Sequence, residues 1–314
     1  LAGLTNLTEL ELSWCSFLTK VDALSGLTNL THLDLSYCSS LTNLDCLSGL
    51  TKLTHLNLSG WSSLTRVECS SGLTKLTHLN LSHCSSLTSV ECLSGLTKLT
   101  NLNLDRCSSL TNLDGLSGLT NLTHLSFAGY LQKLEGLGFL PSLTHFDFTE
   151  GQSLTNVEGL RGLSDSKNLT TLNLRECSSL TNVDFLSEFT NLMHLSLAGG
   201  KSLTNLDCLS DLKGLRFLSL CECESLPNID FLAGLTNLTE LELSWCSLLT
   251  NVDALSGLTN LEILYLSDCK SLKNVDGLNG LTNLRRLNLV GTFLEDDQVD
   301  KLRTALPSCK IFGQ

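Results

Sequence analysis

Leucine recurs in this chain with a period of 23 residues, and this repetition limits the fold more than any other feature of the sequence. Residues 27–49, LTNLTHLDLSYCSSLTNLDCLSG, form the most regular unit. Apolar spacings of three and two are mixed within this one unit, so neither a single helix nor a single strand fits. We predict a short strand with Leu33 and Leu35 pointing inward, followed by a return segment that supplies three more inward leucines.

Thirteen such units follow one another along the chain. They start at Leu4, Leu27, Leu50, Leu73, Leu96, Leu119, Leu140, Leu163, Phe189, Leu212, Leu235, Leu258 and Leu281. The sixth unit is two residues short, and the eighth carries three extra residues within 163–169. Because a solenoid remains one domain however long it grows, we predict a single repeat domain over residues 1–290.

The pattern resembles the leucine-rich repeat family. Its motif LxxLxLxxC occurs in eight of the thirteen units, for example at residues 76–84. The unit length and the V-D-x-L-x-x-L return stretch are most similar to the short repeats of internalins. The resemblance implies an α/β fold, a right-handed solenoid (horseshoe) with a parallel sheet on its concave side and short helical turns on its convex side.

The two ends of the sequence differ from the repeat in opposite ways. Segment 291–314 departs from it: Asp296 or Asp297 is expected to cap a helix that Pro307 ends, and residues 311–312 to form a closing strand. This C-terminal cap would cover the exposed end of the core. The N-terminus begins inside a repeat without a matching cap, so we expect a piece of a longer or processed protein.

The charge excludes several classes of partner. The chain has 32 acidic and 20 basic residues, a net charge of −12. Binding to nucleic acid or to anionic lipid needs a cationic face, so we predict neither. No apolar run approaches the roughly 18 residues of a membrane span. Ser, His and Asp recur only with the repeat and no Gly-rich phosphate loop is present, so we predict no enzymatic activity and no cofactor.

Cysteine occurs 14 times, and eight of these residues occupy one column, that is, equivalent positions of successive repeats. The column contains Cys15, Cys38, Cys84, Cys107, Cys177, Cys223, Cys246 and Cys269. The resemblance implies that it satisfies backbone groups in the turn after the strand. Cys46, Cys69, Cys92 and Cys208 form a second set, for which a metal or disulfide role is the less favoured alternative. So many thiols favour a reducing compartment and hence the cytoplasm.

An acidic residue stands at one return position in each of the first twelve units. The column contains Asp22, Asp45, Glu68, Glu91, Asp114, Glu135, Glu158, Asp184, Asp207, Asp230, Asp253 and Asp276. We expect each carboxylate to cap the short turn that follows it. A stripe that binds cations is the alternative, because aligned like charges repel one another.

Six of the seven histidines share a third column, just before the first inward leucine of the strand. They are His32, His55, His78, His124, His145 and His194. Side chains that run parallel in a row do not converge on a metal ion, so a solvated polar ladder is favoured over a zinc site. A binding face that responds to pH is the third alternative, because imidazole titrates near neutrality.

A partner is expected on the concave face, which is lined mostly by small polar side chains. We predict that a late cluster forms the binding site, since exposed aromatic side chains anchor interfaces. Its residues are Phe217, Ile263, Tyr265 and Trp245, with Glu240, Glu242 and Asp268 as its rim, and His32, His55 and His78 are further candidates. Trp14 and Tyr37 form a smaller counterpart near the start, and Trp61 is expected to be buried. The cluster is equally consistent with scattered surface aromatics that have no function.

Two further patterns bear on function. Residues 1–30 and 232–261 agree at 28 of 30 positions, which indicates recent duplication within the array. The stretch 127–216 is the least regular, which marks either functional loops or decay of the repeat.

Two classes of function follow from the sequence. One is a non-enzymatic recognition scaffold that binds a protein partner on its concave face, as the sensor part of a larger protein. The other is a secreted or surface ligand-binding protein of the adhesin type.

Overall fold

A computed structural model describes residues 3–41, 44–67, 72–129, 131, 134, 137–164 and 167–313. Within these residues, fourteen strands follow one another in the order of the chain. They are β1 (Glu9–Glu11), β2 (His32–Asp34), β3 (His55–Asn57), β4 (His78–Asn80), β5 (Asn101–Asn103), β6 (His124–Ala128), β7 (His145–Thr149), β8 (Thr171–Asn173), β9 (His194–Ser196), β10 (Phe217–Ser219), β11 (Glu240–Glu242), β12 (Ile263–Tyr265), β13 (Arg286–Asn288) and β14 (Lys310–Phe312). The predicted parallel sheet of a leucine-rich repeat solenoid is confirmed.

The return segments contain short helical turns, as the resemblance implied. Their 3-10 helices are Asp22–Gly26, Asp45–Gly49, Glu91–Gly95, Leu116–Gly118, Glu158–Leu160, Asp184–Glu188, Asp207–Asp211, Asp230–Gly234, Asp253–Leu255 and Asp276–Leu278. The α-helices are α1 (Arg161–Ser164) and α2 (Asp296–Ala305). Helix α1 precedes the three-residue insertion, of which Asp165 and Ser166 lie outside the described residues.

The chain forms two compact units. The first comprises Leu1–Phe148 and Glu158–Asn168, and the second comprises Thr149–Val157 and Leu169–Gln314. In the first unit, β1 to β6 pair in parallel with a register of one whole repeat. In the second unit, β8 to β14 pair in parallel, each with the next strand along the chain. Equivalent positions therefore lie side by side within each unit.

Leucines of the repeat fill the core of both units. Leu33 and Leu35 in the first unit, and Leu241 and Leu243 in the second, are each at most 2 % exposed. Burying one leucine side chain contributes about 1.5–3 kcal/mol, so the repeated pattern supplies the main stabilisation.

The cysteine column has the predicted structural role. Cys84 donates its thiol to the backbone carbonyl of Leu58, 26 residues earlier, with Sγ 3.3 Å from the oxygen. The same bond recurs with little change at Cys38, Cys107, Cys223, Cys246 and Cys269. Trp61 replaces cysteine in this column; it is fully buried, as predicted, and its Nε1 donates to the carbonyl of Leu35 at 2.6 Å. Burial raises the pKa of the Cys84 thiol to about 11, so this thiol stays protonated at neutral pH.

The second cysteine set lies in the return segments. Cys46, Cys92 and Cys208 are partly buried, and Cys69 is outside the described residues. Cys208 donates to the carbonyl of Val183 with a Sγ–O distance of 3.4 Å, so it too satisfies a backbone group.

The prediction that the acidic column caps the return turns is wrong in its geometry. Asp207 is the first residue of its 3-10 helix, and the cap position belongs to the apolar residue before it, Leu206. The N–H of Asp207 donates instead to Oδ1 of Asn205 at 2.7 Å, and the same bond recurs in later repeats. Except for Asp114, in whose repeat the 3-10 helix begins only at Leu116, the described carboxylates of this column lie in the first turn, where negative charge is favourable. Glu68 and Glu135 lie outside the described residues.

The C-terminal segment forms the predicted helix and closing strand, with one difference. Helix α2 begins at Asp296, but the residue at its cap position is Glu295 rather than an aspartate. The backbone N–H of Glu295 donates to Oε1 of Gln298 at 3.3 Å, which is half of a capping box. Val299 and Leu302 are buried, and β14 pairs with β13.

Candidate functional site

The histidine column forms a stacked row in the first unit. The rings of His32 and His55 have centroids 4.2 Å apart, as do those of His55 and His78. The hydroxyl of the preceding threonine lies 2.9 Å from Nδ1 in each of these three rings. Asn101 takes the next position, after which His124 and His145 stack at 4.3 Å. The rings therefore lie one above another, in the arrangement of a polar ladder.

The described residues contain no group of three or more His, Cys, Asp or Glu side chains arranged to hold a metal ion. In the same ranges, no helix is long and apolar enough to cross a membrane.

Five residues of the late cluster lie on three neighbouring strands of the second unit. One row of directly paired residues across β10, β11 and β12 consists of Phe217, Glu240 and Ile263. A second row, two positions further along each strand, consists of Ser219, Glu242 and Tyr265. That second row places Glu242 beside Tyr265. All five side chains are half-buried. The sequence therefore identified side chains that the fold brings together, and we call them the β10–β12 patch.

Trp245 and Asp268 lie in the turns that follow β11 and β12. Both have left-handed backbone, with φ of 65° and 58°. Each turn is held because the residue's N–H donates to a carbonyl of the next repeat, Ser267 for Trp245 and Val290 for Asp268, at 2.8 Å. Trp245 is 47 % exposed, with Nζ of Lys270 5.7 Å from its ring centroid. Each of these two residues therefore lies in the turn directly after a strand that carries the β10–β12 patch.

The predicted site residues fall into two groups. His32, His55 and His78 belong to the first unit, whereas the β10–β12 patch, Trp245 and Asp268 belong to the second. The row of histidines and the β10–β12 patch are therefore two separate candidates.

Sequence reasoning missed a cavity of about 290 Å³ in the second unit. Its lining includes Phe217 and Glu242, which the sequence had identified, and Arg175, Cys221 and Glu222, which it had not. Arg175 and Cys221 occupy a column that holds serine in several other repeats. The replacement of serine by arginine or cysteine in this column is the sequence signal that could have identified the cavity.

Comparison with known proteins identifies the repeat. A family model for the BspA type leucine rich repeat region matches residues 5–159 and 164–288 in six copies. No curated protein sequence matches the chain. Among solved structures, the internalin inlF of Listeria monocytogenes is similar over 98 % of this chain and 87 % of its own length, with a TM-score of 0.80 and 23 % identity. A leucine-rich repeat protein of Leptospira interrogans is similar over 98 % and 90 %, with a TM-score of 0.73 and 22 % identity.

A third similar structure shares a further feature. The functional domain of InlJ from Listeria monocytogenes, which includes a cysteine ladder, is similar over 97 % of this chain and 72 % of its own length, with a TM-score of 0.57 and 24 % identity. At these identities the likeness shows the fold alone. The comparisons do not support the cytoplasmic location that the thiols had suggested.

Proposed function

Because the chain belongs to the family of BspA-type leucine-rich repeat proteins, we propose that it is a non-enzymatic recognition scaffold that binds a protein partner through the β10–β12 patch. Proteins with this fold commonly mediate contacts between proteins. We propose further that the binding site is this patch and that its aromatic and acidic side chains contact the partner.

The observation that carries the proposal is the pairing of apolar and acidic side chains on β10 to β12. Phe217 and Ile263 flank Glu240 in one row, and Tyr265 lies beside Glu242 in the next. Half-buried aromatic side chains keep most of their atoms fixed while leaving a surface for a partner, so they lose little entropy on binding. The carboxylates form a polar rim that selects a partner of complementary charge.

A secreted or surface ligand-binding protein is the second candidate. The fold likeness to internalins favours it, and so does the likeness to a domain that includes a cysteine ladder. The buried cysteines do not oppose it, because thiols such as those of Cys84 and Cys107 are held protonated and away from solvent by the fold itself. Both candidates use the same binding surface, and they differ in location.

The test is a quantitative pull-down from an extract of the source cells with the chain immobilised. Trp245→Ala and Tyr265→Ala are expected to lose a common set of bound proteins, roughly tenfold or more for a residue that anchors an interface. Trp14→Ala is the matched control, because Trp14 stands at the equivalent position of a nearly identical repeat in the first unit. Capture that is the same for wild type and both patch variants would reject the proposal.

A further inference from the structure

The cavity beside the β10–β12 patch exists because small and large side chains alternate between neighbouring repeats. Ser196, Ala198 and Gly199 come from the repeat of β9 and are small. Arg175, in the repeat before it, and Phe217, in the repeat after it, are large and also line the cavity. A volume of about 290 Å³ lies at the lower end of the roughly 300–1,000 Å³ of pockets for whole small molecules. It therefore suits one side chain or a compact ligand.

Three carboxylates line this cavity, and two of them already have cations nearby. Arg175 Nε lies 3.5 Å from Oε1 of Glu176, and Lys201 Nζ lies 3.4 Å from Oε2 of Glu222. For Glu242, in contrast, no lysine or arginine of the described chain forms an ion pair. The cavity thus holds one carboxylate whose charge is left for a ligand to neutralise.

The carboxylate of Glu242 is held in position by a neutral donor. The hydroxyl of Ser219, a residue only 2 % exposed, donates to its Oε2 at 2.7 Å. Burial, and then the negative charges of Glu242 and Glu222, raise the pKa of the Cys221 thiol to about 12. The positive charge of Arg175 lowers this pKa by less, so the thiol stays protonated and adds no charge of its own beside Glu242. A fixed, unneutralised carboxylate in a partly desolvated cavity is suited to a charge-assisted hydrogen bond.

Phe217 gives the same cavity an aromatic wall. Cations are attracted to the face of an aromatic ring, and the aliphatic part of a long basic side chain packs well against it. We propose that the cavity receives a lysine or arginine side chain of the protein partner, with its charged end at Glu242 and its aliphatic part against Phe217. This inference rests on the proposed function, since it specifies the chemistry that the same surface recognises.

The test uses N-acetyl-L-arginine amide and N-acetyl-L-lysine amide as probes, followed by NMR on the backbone amides around the cavity. N-acetyl-citrulline amide is the matched neutral probe, because it has nearly the shape of the arginine derivative without its charge. We expect at least one cationic probe to shift the amides of Phe217, Ser219 and Cys221 and to bind about tenfold more tightly than citrulline. Equal binding of the neutral and cationic probes, or binding of none, would overturn the inference.

Two variants at equivalent positions locate the interaction. Glu242→Gln is expected to weaken the cationic probe about tenfold, whereas Glu11→Gln, the equivalent change in the first unit and outside the cavity lining, leaves its affinity unchanged. An equal loss in both variants would show a general effect of charge and contradict a site at Glu242.

The inference and the proposed function fail in different ways. If capture of partners depends on Trp245 and Tyr265 but no cationic probe binds, the β10–β12 patch stands and the cavity inference falls. If a cationic probe binds at Glu242 but capture is independent of Trp245 and Tyr265, the cavity is a site for a basic group and the patch is rejected as the interface.

Discussion

Residues 1–30 and 232–261 have nearly the same sequence, yet their outward side chains meet different neighbours. Trp14 stacks on Tyr37 of the following repeat, with ring centroids 4.1 Å apart and planes 4° apart. Trp245 is the equivalent residue, but the following repeat has Asp268 at the position of Tyr37. Despite its stack, Trp14 is the more exposed of the two tryptophans, at 71 % against 47 % for Trp245.

The glutamates of the two copies differ in the same way. Glu11 accepts a hydrogen bond from Ser13 of its own repeat at 3.1 Å. Its counterpart Glu242 accepts one from Ser219 of the preceding repeat and lies beside Tyr265 of the following one. A repeat therefore sets where a side chain projects, and the adjacent repeats set what that side chain can bind. Four predictions test this comparison.

The largest difference is expected in thiol reactivity. Cys15 is exposed, whereas the equivalent Cys246 is 1 % exposed and donates to the carbonyl of Leu220 in the preceding repeat. Burial raises the pKa of Cys246, so its reactive thiolate is scarce and reagent reaches it only after local unfolding. In the native protein we expect iodoacetamide to modify Cys15 at least roughly a hundredfold faster than Cys246. Peptide mass spectrometry measures both rates, and equal rates would contradict the structure.

The inward leucines of the two copies should differ next. Leu241 is fully buried between neighbouring strands, whereas Leu10 on β1 is only partly buried, with no strand before it in the described chain. Leu241→Ala is expected to lower the free energy of unfolding by about 2–5 kcal/mol. Leu10→Ala should cost about 1 kcal/mol, since less surface is exposed by the change. Urea unfolding of the two variants measures this difference, and a cost for Leu10→Ala as large as that for Leu241→Ala would be evidence against it.

The aromatic stack of the first copy should be transferable to the second. Tyr37 and Asp268 both have left-handed backbone, and each is followed in the next repeat by a glycine, Gly60 or Gly291. Without a Cβ, Gly60 leaves the space that the ring of Tyr37 occupies. Asp268→Tyr is therefore expected to stack on Trp245 and add about 0.5–1.5 kcal/mol of stability.

A double-mutant cycle separates this stack from other effects of the new tyrosine. The gain should vanish when Asp268→Tyr is combined with Trp245→Ala. The reverse change, Tyr37→Asp, should cost a similar amount and shift the fluorescence of Trp14 towards that of a solvated indole. A gain that persists without Trp245 would show that the stack had not formed.

The features that the sequence predicted well are those that the repeat determines. Strand positions, the burial of Trp61 and the bonds of the cysteine column follow from the 23-residue period, because a residue's column decides whether it faces the core. The stacked histidines also follow, since the spacing of parallel strands is about 4.8 Å. The acidic cap was misplaced by one position, because the pattern locates a turn but not which residue is the first of its helix.

The cavity could not be predicted from the period. It depends on how far side chains of three successive repeats extend, with Arg175 on one side, Ala198 and Gly199 between, and Phe217 on the other. It also depends on which carboxylates form ion pairs, as Glu176 does with Arg175 and Glu222 with Lys201. Specific sites on a solenoid arise from such combinations of neighbouring repeats, and they cannot be predicted from any one repeat alone.

The smallest effect is expected when pH changes the stability of the first unit. It concerns the column that begins at Glu9 and continues with the histidines. Burial, followed by repulsion from His78 and His32, lowers the pKa of His55 below its usual 6.5. The pKa of His78 is lowered in the same way, first by burial and then by His124 and His32. The folded state therefore binds fewer protons than the unfolded state as the pH falls below about 6.5, so stability declines in that range. The change is modest because these rings are partly exposed to water.

The double variant His55→Asn and His78→Asn isolates this contribution, since asparagine already occupies the same column at Asn101. Two positions after His55 and His78 on their strands stand Asn57 and Asn80, which carry no charge. The same position after His32 holds the charged Asp34. Asp34 is present in both proteins, so its contribution cancels in the comparison. Urea unfolding at pH 7.5 and pH 5.0 should therefore show a smaller loss of stability on acidification in the double variant than in the wild type. An identical loss in both would show that the histidine row does not contribute to the pH dependence of the first unit.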